Sequence, residues 1–246
     1  MKKIVFMGAK AIGFRCLQCL YEQQSALEYE IVGVLTNERG KEIKSFCHAY
    51  GLPLLKTLDD YLSLSKVDIA LSVQYDQILR PCHINKAEKI AINLHMAPLP
   101  EYRGCNQFSF AIINQDETFG TTLHRLEEGI DSGAVIAEKR FKIPQGIWVK
   151  DLVALTEQHS FELFQSELSH IVRGHLILVS QDGRKTTRRE FHQRDEIEAL
   201  KRIDLSWDME KIQRYIRATY MPGFPAPYFM LGETKISFLV NEGKVS

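Results

Sequence analysis

The sequence has no long apolar run and no net charge, and each absence excludes a class of protein. No apolar run approaches the ~20 residues that a helix needs to cross a bilayer. The chain has 31 Lys and Arg residues against 31 Asp and Glu residues, so its formal net charge is zero. Broad binding to a nucleic-acid backbone requires a positive field. We therefore expect neither a membrane nor a nucleic acid as a partner.

Cysteine is also scarce, and the five residues make an odd number. This count fits a reducing cytosol better than a disulfide framework, so we expect a cytoplasmic protein. Cys16 and Cys19 form a CxxC pair, but there is no second pair and no histidine at zinc-finger spacing. We interpret both as core residues on a helix and predict no metal site. The apolar run near the start is brief and predicts a first strand, not a signal peptide.

Strands and helices alternate along most of the chain. Short apolar runs predict buried strands at 4–7, 31–35, 52–55, 67–73 and 90–94. This alternation predicts an α/β fold with a Rossmann-like, mostly parallel sheet flanked by helices. Ligands of such sheets bind outside the carboxyl ends of the strands, where Gly8, Ser72 and Asn93 fall.

The composition changes near Ser180, where a turn sequence and a dense run of charges follow. Before this point we predict two further strands and a long helix, at 121–126, 134–143 and 149–173. We therefore divide the chain into a main domain, 1–180, and a small C-terminal α+β region, 181–246. The small region is predicted to hold one helix, an aromatic and proline-rich loop and a β-hairpin, at 208–218, 220–229 and 229–240.

One stretch, 92–131, collects polar residues that suit catalysis. Asn93 and His95 are two residues apart, so on an extended backbone their side chains leave the same face, with Leu94 on the other. Prolines and a glycine then end the strand. Asp131, between two glycines, is the natural candidate to return to this pair. An amide donor, an imidazole and a carboxylate together suit a reaction that builds negative charge on oxygen and moves a proton.

Two basic features leave alternatives open. The turn GAKAIG (8–13) lacks GxGxxG spacing, and no acidic residue ends the second strand. A tight strand-to-helix turn therefore explains it better than a dinucleotide site. Lys10 can still meet an anionic substrate at the mouth of the helix. Arg188 and Arg189 can grip phosphates or can belong to a solvated charged face.

The polar stretch resembles a known family. NLHMAPLPEYRG (93–104) resembles the NxHxSxLPxxxG signature of folate-dependent formyltransferases, with Ala97 where the signature often has serine. GTTLHRLEEGIDSGAVIA (120–137) resembles the GxTxHxxxxxxDxG segment of the same family. The resemblance implies a Rossmann-like catalytic domain with 10-formyltetrahydrofolate as the formyl donor. It also implies that Asn93, His95 and Asp131 are the catalytic residues.

The resemblance further implies how these residues act. An amine attacks the formyl carbon, and Asn93 and a protonated His95 donate hydrogen bonds to the resulting oxyanion. Asp131 keeps His95 protonated and helps to remove the proton of the amine. By the same resemblance, the stretch 72–79 lies beside the pterin. The implied donor-binding residues are Gln74, Tyr75, Gln77, Ile78, Leu79 and Asp131.

Among the branches of the family, the chain looks most like the sugar N-formyltransferases. Their acceptor is an amino-deoxy sugar on a nucleotide diphosphate, often dTDP, and dTDP-4-amino-4,6-dideoxyglucose is an example. The glycinamide ribonucleotide branch has a Gly/Ser-rich first loop, and the methionyl-tRNA branch has a longer chain with an OB-fold tail. The resemblance suggests a role in lipopolysaccharide O-antigen synthesis. A methionyl-tRNA formyltransferase-like enzyme and a non-catalytic folate- or nucleotide-binding module remain as alternatives.

The resemblance also suggests residues for the acceptor. The aromatic loop can stack on a base, the basic groups can meet the diphosphate, and a carboxylate can hold the sugar amine or a hydroxyl. The acceptor-binding residues are predicted to be Lys10, Glu101, Arg103, Gln107, Tyr220 and Phe224. Enzymes of this group often dimerise through the C-terminal region, so we expect a homodimer.

Overall fold

The structure, a computed structural model, describes residues 1–182 and 191–239. Its strands are β1 (Lys2–Gly8), β2 (Tyr29–Leu35), β3 (Ile69–Val73), β4 (Ile90–His95), β5 (Arg103–Gly104), β6 (Thr118–Arg125), β7 (Val135–Lys142), β8 (Phe191–His192), β9 (Tyr228–Leu231) and β10 (Thr234–Ser237). Its helices are α1 (Lys10–Glu22), α2 (Gln24–Leu27), α3 (Lys41–Tyr50), α4 (Leu58–Ser63), α5 (Pro81–Ile84), α6 (Gln107–Ile113), α7 (Val149–Arg173), α8 (Glu196–Lys201) and α9 (Met209–Thr219).

Six strands form one sheet in the order β2-β1-β3-β4-β6-β7. The four strands from β2 to β4 in this order are parallel, and β6 and β7 continue the sheet with antiparallel pairing. The predicted Rossmann-like, mostly parallel sheet flanked by helices is therefore confirmed. Met7, Ser72 and Asn93 lie side by side in register. The carboxyl ends of β1, β3 and β4 thus lie together at one edge of the sheet.

The two faces of the sheet bury different side chains because successive residues of a strand point in opposite directions. On one face, Phe6 and Leu94 pack against α1 and α7 in the largest core cluster. On the other face, Met7 packs with Tyr61 of α4 and with Ile84 of α5. Leu123 of β6 belongs to the first face. Consequently the polar residues that alternate with these apolar ones in β4 and β6 point to the second face.

The C-terminal region contacts the rest of the chain through α9 and through β8. Ala218 of α9 is fully buried in a cluster that also contains Tyr102, Phe119 and Leu152. In addition, β5 pairs in parallel with β8, so that Gly104 lies beside His192. The loop that follows β4 is therefore bonded to a segment that comes almost ninety residues later in the chain.

Several local predictions are confirmed and others are wrong. The long helix is found as predicted, and it ends where Gly174 adopts a left-handed backbone with φ of 78°. The strand predicted at 52–55 is wrong. This segment makes only an isolated bridge between Leu54 and Val34, because Pro53 has no N–H with which to extend a ladder. The C-terminal region contains two helices, α8 and α9, where one was predicted.

The β-hairpin predicted in the C-terminal region is formed by β9 and β10. Arg188 and Arg189, predicted as possible phosphate contacts, lie outside the described residues. No helix within the described parts of the chain has both the length and the apolar character that crossing a membrane requires.

Phe119 should be a major contributor to stability. Its side chain is fully buried between the rings of Tyr102, Phe108 and Phe141. Phe119→Ala should therefore lower the free energy of unfolding by about 3–5 kcal/mol in urea titrations. The matched control is Phe224→Ala, because this side chain is 68% exposed and its loss should change stability by no more than about 0.5 kcal/mol. Equal effects of the two changes would contradict the burial described here.

Candidate functional site

The register of β4 and β6 brings an amide and an imidazole together. Asn93 lies directly opposite His124, and its Nδ2 is 3.1 Å from His124 Nε2. His124 Nδ1 lies 2.9 Å from the carbonyl oxygen of Arg125, which can only accept. His124 therefore donates through Nδ1, and its Nε2 faces the Asn93 amide. The Asn93 NH₂ group has two hydrogens, so one remains available for a substrate oxygen.

His95 is buried, with both ring nitrogens facing oxygen atoms of the protein. Nε2 lies 2.7 Å from the carbonyl oxygen of Tyr102, so this nitrogen carries a hydrogen and donates it. Nδ1 lies 3.6 Å from Asp131 Oδ2. His95 can therefore hold a positive charge between a carbonyl and a carboxylate. To reach a substrate oxygen, its Nε2–H must first exchange the Tyr102 carbonyl for the substrate.

Asp131 joins the two histidines. Its Oδ2 accepts a hydrogen bond of 3.0 Å from the Gly104 N–H, and its Oδ1 lies 3.4 Å from His124 Nε2. Burial acts to raise the pKa of this carboxyl group. The nearby His95, His124 and the Gly104 N–H outweigh burial and hold its pKa well below the usual range. The site therefore contains an ionised carboxylate that can stabilise an imidazolium or accept a proton.

The turn around Asp131 is tightly packed. Asp131 has a left-handed backbone, with φ of 50°. A Cβ atom on Gly133 would lie 1.9 Å from the carbonyl oxygen of Arg125, so glycine is required there. Of the two glycines that flank Asp131, Gly133 is therefore required by the packing of the turn.

The predicted donor-binding loop follows β3. Ser72 pairs in register with Asn93, so the loop begins beside the polar cluster. Gln74 has a left-handed backbone, and its Oε1 accepts a hydrogen bond of 2.8 Å from Lys10 Nζ. Tyr75 and Leu79 pack partly into the core, whereas Gln77 and Ile78 are exposed; the Ile78 side chain is 82% exposed. The loop thus combines polar groups with an apolar side chain that a flat ring could cover.

Three predicted acceptor-binding residues are already engaged by protein groups. Lys10 is bonded to Gln74, and burial together with the nearby Arg39 and Arg194 lowers its pKa. Glu101 Oε1 accepts a hydrogen bond of 2.6 Å from Arg140. Its Oε2 is buried and has no hydrogen-bond partner in the described part of the chain.

The third of these residues is Arg103, in β5. Its guanidinium group donates to Gln181 Oε1 from Nε at 3.2 Å and from Nη2 at 2.8 Å. Arg103 is therefore used, at least in part, to hold the protein together.

The other predicted acceptor residues lie toward the C-terminal region. Gln107 begins α6, on which α9 packs. Tyr220 follows α9, and its ring meets that of Trp148 edge-on, with centroids 6.2 Å apart. Phe224 is mostly exposed. The structure thus brings the catalytic candidates Asn93, His95 and Asp131 into one cluster, while the ring contact described for Tyr220 is with Trp148.

His124 is not among the site residues predicted from the sequence, although it lies in the quoted motif. The missing information was the register, because only the pairing of β6 with β4 shows that His124 faces Asn93. The roles of the Tyr102 carbonyl and the Gly104 N–H are also new, since backbone groups leave no signal in the sequence. The interpretation of Cys16 and Cys19 as core residues is confirmed, as both are buried.

Part of the chain is similar to known proteins. Residues 52–164 match the family model described as "Formyl transferase". Methionyl-tRNA formyltransferase of Clostridioides difficile is 31% identical over 168 residues, which cover 61% of this chain and 53% of that protein. GDP-perosamine N-formyltransferase of Brucella melitensis is 27% identical over 166 residues, covering 64% of this chain and 59% of that protein. The chain spans 38% to 66% of the length of the curated relatives it matches.

A solved structure supports the fold. The N-formyltransferase from Helicobacter canadensis, solved with folinic acid and dTDP-3-aminofucose, superposes with a TM-score of 0.78 at 20% identity. The superposition covers 96% of this chain and 86% of that one. The segment that matches the family model contains β4, β6 and the turn with Asp131. Residues 52–164 therefore match a formyl transferase domain, and the fold agrees with that match.

Proposed function

We propose that the protein transfers a formyl group from 10-formyltetrahydrofolate to the amine of a nucleotide-linked amino-deoxy sugar. The observation that carries this proposal is the convergence of Asn93, His95, His124 and Asp131 at the end of β4, within the matched formyl transferase segment. The specific acceptor we propose is dTDP-linked, such as dTDP-4-amino-4,6-dideoxyglucose. The Helicobacter canadensis neighbour, whose structure holds dTDP-3-aminofucose, supports this class.

Asn93 stabilises the charge that develops when the amine attacks the formyl carbon. As the new C–N bond forms, the carbonyl electron pair moves onto oxygen, and the second hydrogen of the Asn93 amide is donated to it. The hydrogen bond to His124 keeps the amide oriented before the reaction. Such preorganised donors act without reorganisation cost, and each typically lowers the barrier by roughly 3–4 kcal/mol.

Asp131 and His95 manage the protons. The attacking amine must lose a proton, and the nitrogen of the leaving tetrahydrofolate must gain one when its C–N bond breaks. Asp131 is ionised and its side chain is 13% exposed, so it can accept the first proton directly or through water. The His95 Nε2–H can donate to the oxyanion after releasing the Tyr102 carbonyl.

The loop formed by Gln74, Tyr75, Gln77, Ile78 and Leu79 is our proposed binding site for the donor. Its place beside the polar cluster and its exposed apolar side chain suit the pterin ring. Three residues are proposed to contact the nucleotide-linked sugar. Phe224 is available to stack on a base. The Glu101 side chain is 34% exposed and can accept from the sugar, and Lys10 can meet phosphate through the donors that Gln74 does not use.

We also propose that two copies of the chain associate through the hairpin of β9 and β10. A two-stranded hairpin is marginal by itself, yet this one exposes Leu231 and Ile236, and Leu231 is 66% exposed. The two side chains share a face, because Ile236 pairs with Phe229, two residues before Leu231. The same apolar surface on a second copy can cover it about a twofold axis. The cytoplasm and O-antigen synthesis remain the proposed setting of the reaction.

Removing any member of the catalytic group should nearly abolish formyl transfer. Asn93→Ala, His95→Ala and Asp131→Ala should each lower kcat/KM by at least about 100-fold, because each deletes a group that acts in the transition state. His170→Ala is the matched control, since its side chain is 54% exposed on α7. Circular dichroism verifies that the variants remain folded. Substantial turnover by any of the three would reject the catalytic role of that residue.

The acceptor can be identified by mass spectrometry. The enzyme is incubated with 10-formyltetrahydrofolate and either dTDP-linked aminosugars or charged initiator tRNA. We expect the mass of a formyl group to be added to a nucleotide sugar. Formylated tRNA would replace our proposal with the methionyl-tRNA activity. Tight folate binding without turnover across a wide panel of amines would instead indicate a binding module.

The association of two copies is tested by sedimentation velocity. Leu231→Lys combined with Ile236→Lys should convert a dimer into a monomer, because two charges would have to be buried at the interface. Glu233→Lys, at the turn of the same hairpin, adds a positive charge outside the apolar surface and should leave the dimer intact. A monomeric wild type, or a double variant that still sediments as a dimer, would reject this interface.

A further inference from the structure

The catalytic turn cannot hold its own geometry by local contacts alone. Asp131 adopts a left-handed backbone that non-glycine residues rarely populate, so the surrounding structure must impose it. The position of its carboxylate matters because Oδ2 must meet the Gly104 N–H while facing His95. A residue that restrains this turn therefore controls the geometry of the whole cluster.

Gln181 makes such contacts. Its side chain comes from a segment fifty residues later in the chain and is only 4% exposed. Its Nε2 donates to the carbonyl oxygen of Asp131 at 2.9 Å and to that of Gly133 at 2.7 Å. Its Oε1 accepts both hydrogen bonds from Arg103. All four hydrogen-bonding positions of the amide are thereby used.

These bonds close a ring around the site. Arg103 precedes Gly104, whose N–H binds the Asp131 carboxylate. Gln181 binds the side chain of Arg103 at one end and the backbone of Asp131 at the other. The donor and the acceptor of the Gly104–Asp131 hydrogen bond are thus fixed relative to each other by one buried amide.

The backbone near Gln181 is itself anchored. Two residues earlier, Val179 forms a pair of 2.8 Å hydrogen bonds with Val135, the first residue of β7. β7 begins directly after the catalytic turn, so Gln181 is held close to the groups it binds. Its side chain therefore reaches the turn from a fixed point on the sheet.

We propose that Gln181 is a positioning residue that aligns the Asp131 carboxylate with Gly104 and His95. It touches no reacting atom and acts through the turn. Only a glutamine amide offers two donors and a strong acceptor at this reach. A glutamate would turn an oxygen toward two carbonyls, and a methionine would leave them unpaired. The catalytic meaning of this alignment rests on the proposed formyl transfer, but the alignment itself does not.

The first test needs no substrate. Amide hydrogen exchange at Gly104 reports directly on its hydrogen bond to Asp131. In Gln181→Met, exchange at Gly104 should accelerate at least about tenfold while the amides of β3 stay protected, since local opening leaves the core intact. The control is Ser180→Ala. This neighbour bonds only to Asp182 among the described residues, so Gly104 should exchange as in the wild type.

Gln181→Glu separates the two halves of the amide. It keeps a partner for Arg103 and loses both donors to the turn, so Gly104 should again exchange faster. In formyl transfer, both variants should lower kcat about 10- to 100-fold, because small misplacements of catalytic groups have effects of this size. KM for the donor should remain within about twofold, since a misplaced carboxylate slows the chemical step more than it weakens folate binding.

Each outcome decides the proposal. Gly104 exchange at the wild-type rate in a folded Gln181→Met protein would overturn it. Loss of protection in β3 as well, in both the Met and the Glu variants, would show a general stabilising role and also reject it. A large rise in KM with unchanged kcat would indicate donor binding instead. If formyl transfer itself is not found, the exchange data still decide whether Gln181 aligns the turn.

Discussion

The site depends on one carboxylate that is kept ionised while largely buried. Charge of this kind is costly away from water unless it is paired and hydrogen-bonded. Here the compensation comes from two imidazoles and one backbone N–H, which together hold the pKa of Asp131 well below its usual range. The sheet supplies the imidazoles through neighbouring strands, and the loop after β4 supplies the N–H. The polar cluster thus forms because β4, which is parallel to β3, is also paired in antiparallel fashion with β6.

The acceptor side is organised differently. Lys10 and Arg103, which the sequence suggested for a diphosphate, are both bonded to glutamine side chains in the structure. These bonds give the two cations defined positions and leave further N–H groups on each of them for an anion. Glu101 likewise shares its carboxylate with Arg140.

Local sequence patterns predicted most strands of the sheet and part of the polar cluster. A short apolar run placed β4 correctly, and the two-residue spacing of Asn93 and His95 showed that they share a face. Motif resemblance joined them to Asp131. What could not be predicted depends on pairing between distant segments. His124 required the register of β6, and Gln181 required the path of the chain after α7. The strand prediction at 52–55 was wrong for a local reason, because the apolar residues favoured a strand but Pro53 has no N–H with which to extend it.

The pairing of β5 with β8 has a consequence for how the protein matures. All strands of the six-stranded sheet lie before residue 143, so the sheet can assemble while the rest of the chain is still being synthesised. The bonds from Gln181 to the Asp131 turn and to Arg103 span 48 to 78 residues, and Asn106 is bonded to Gln193 across 87 residues. All of these bonds require chain that follows α7. A nascent chain can therefore form the six-stranded sheet before its site is aligned. The site becomes aligned only after the segment beyond α7 has been synthesised.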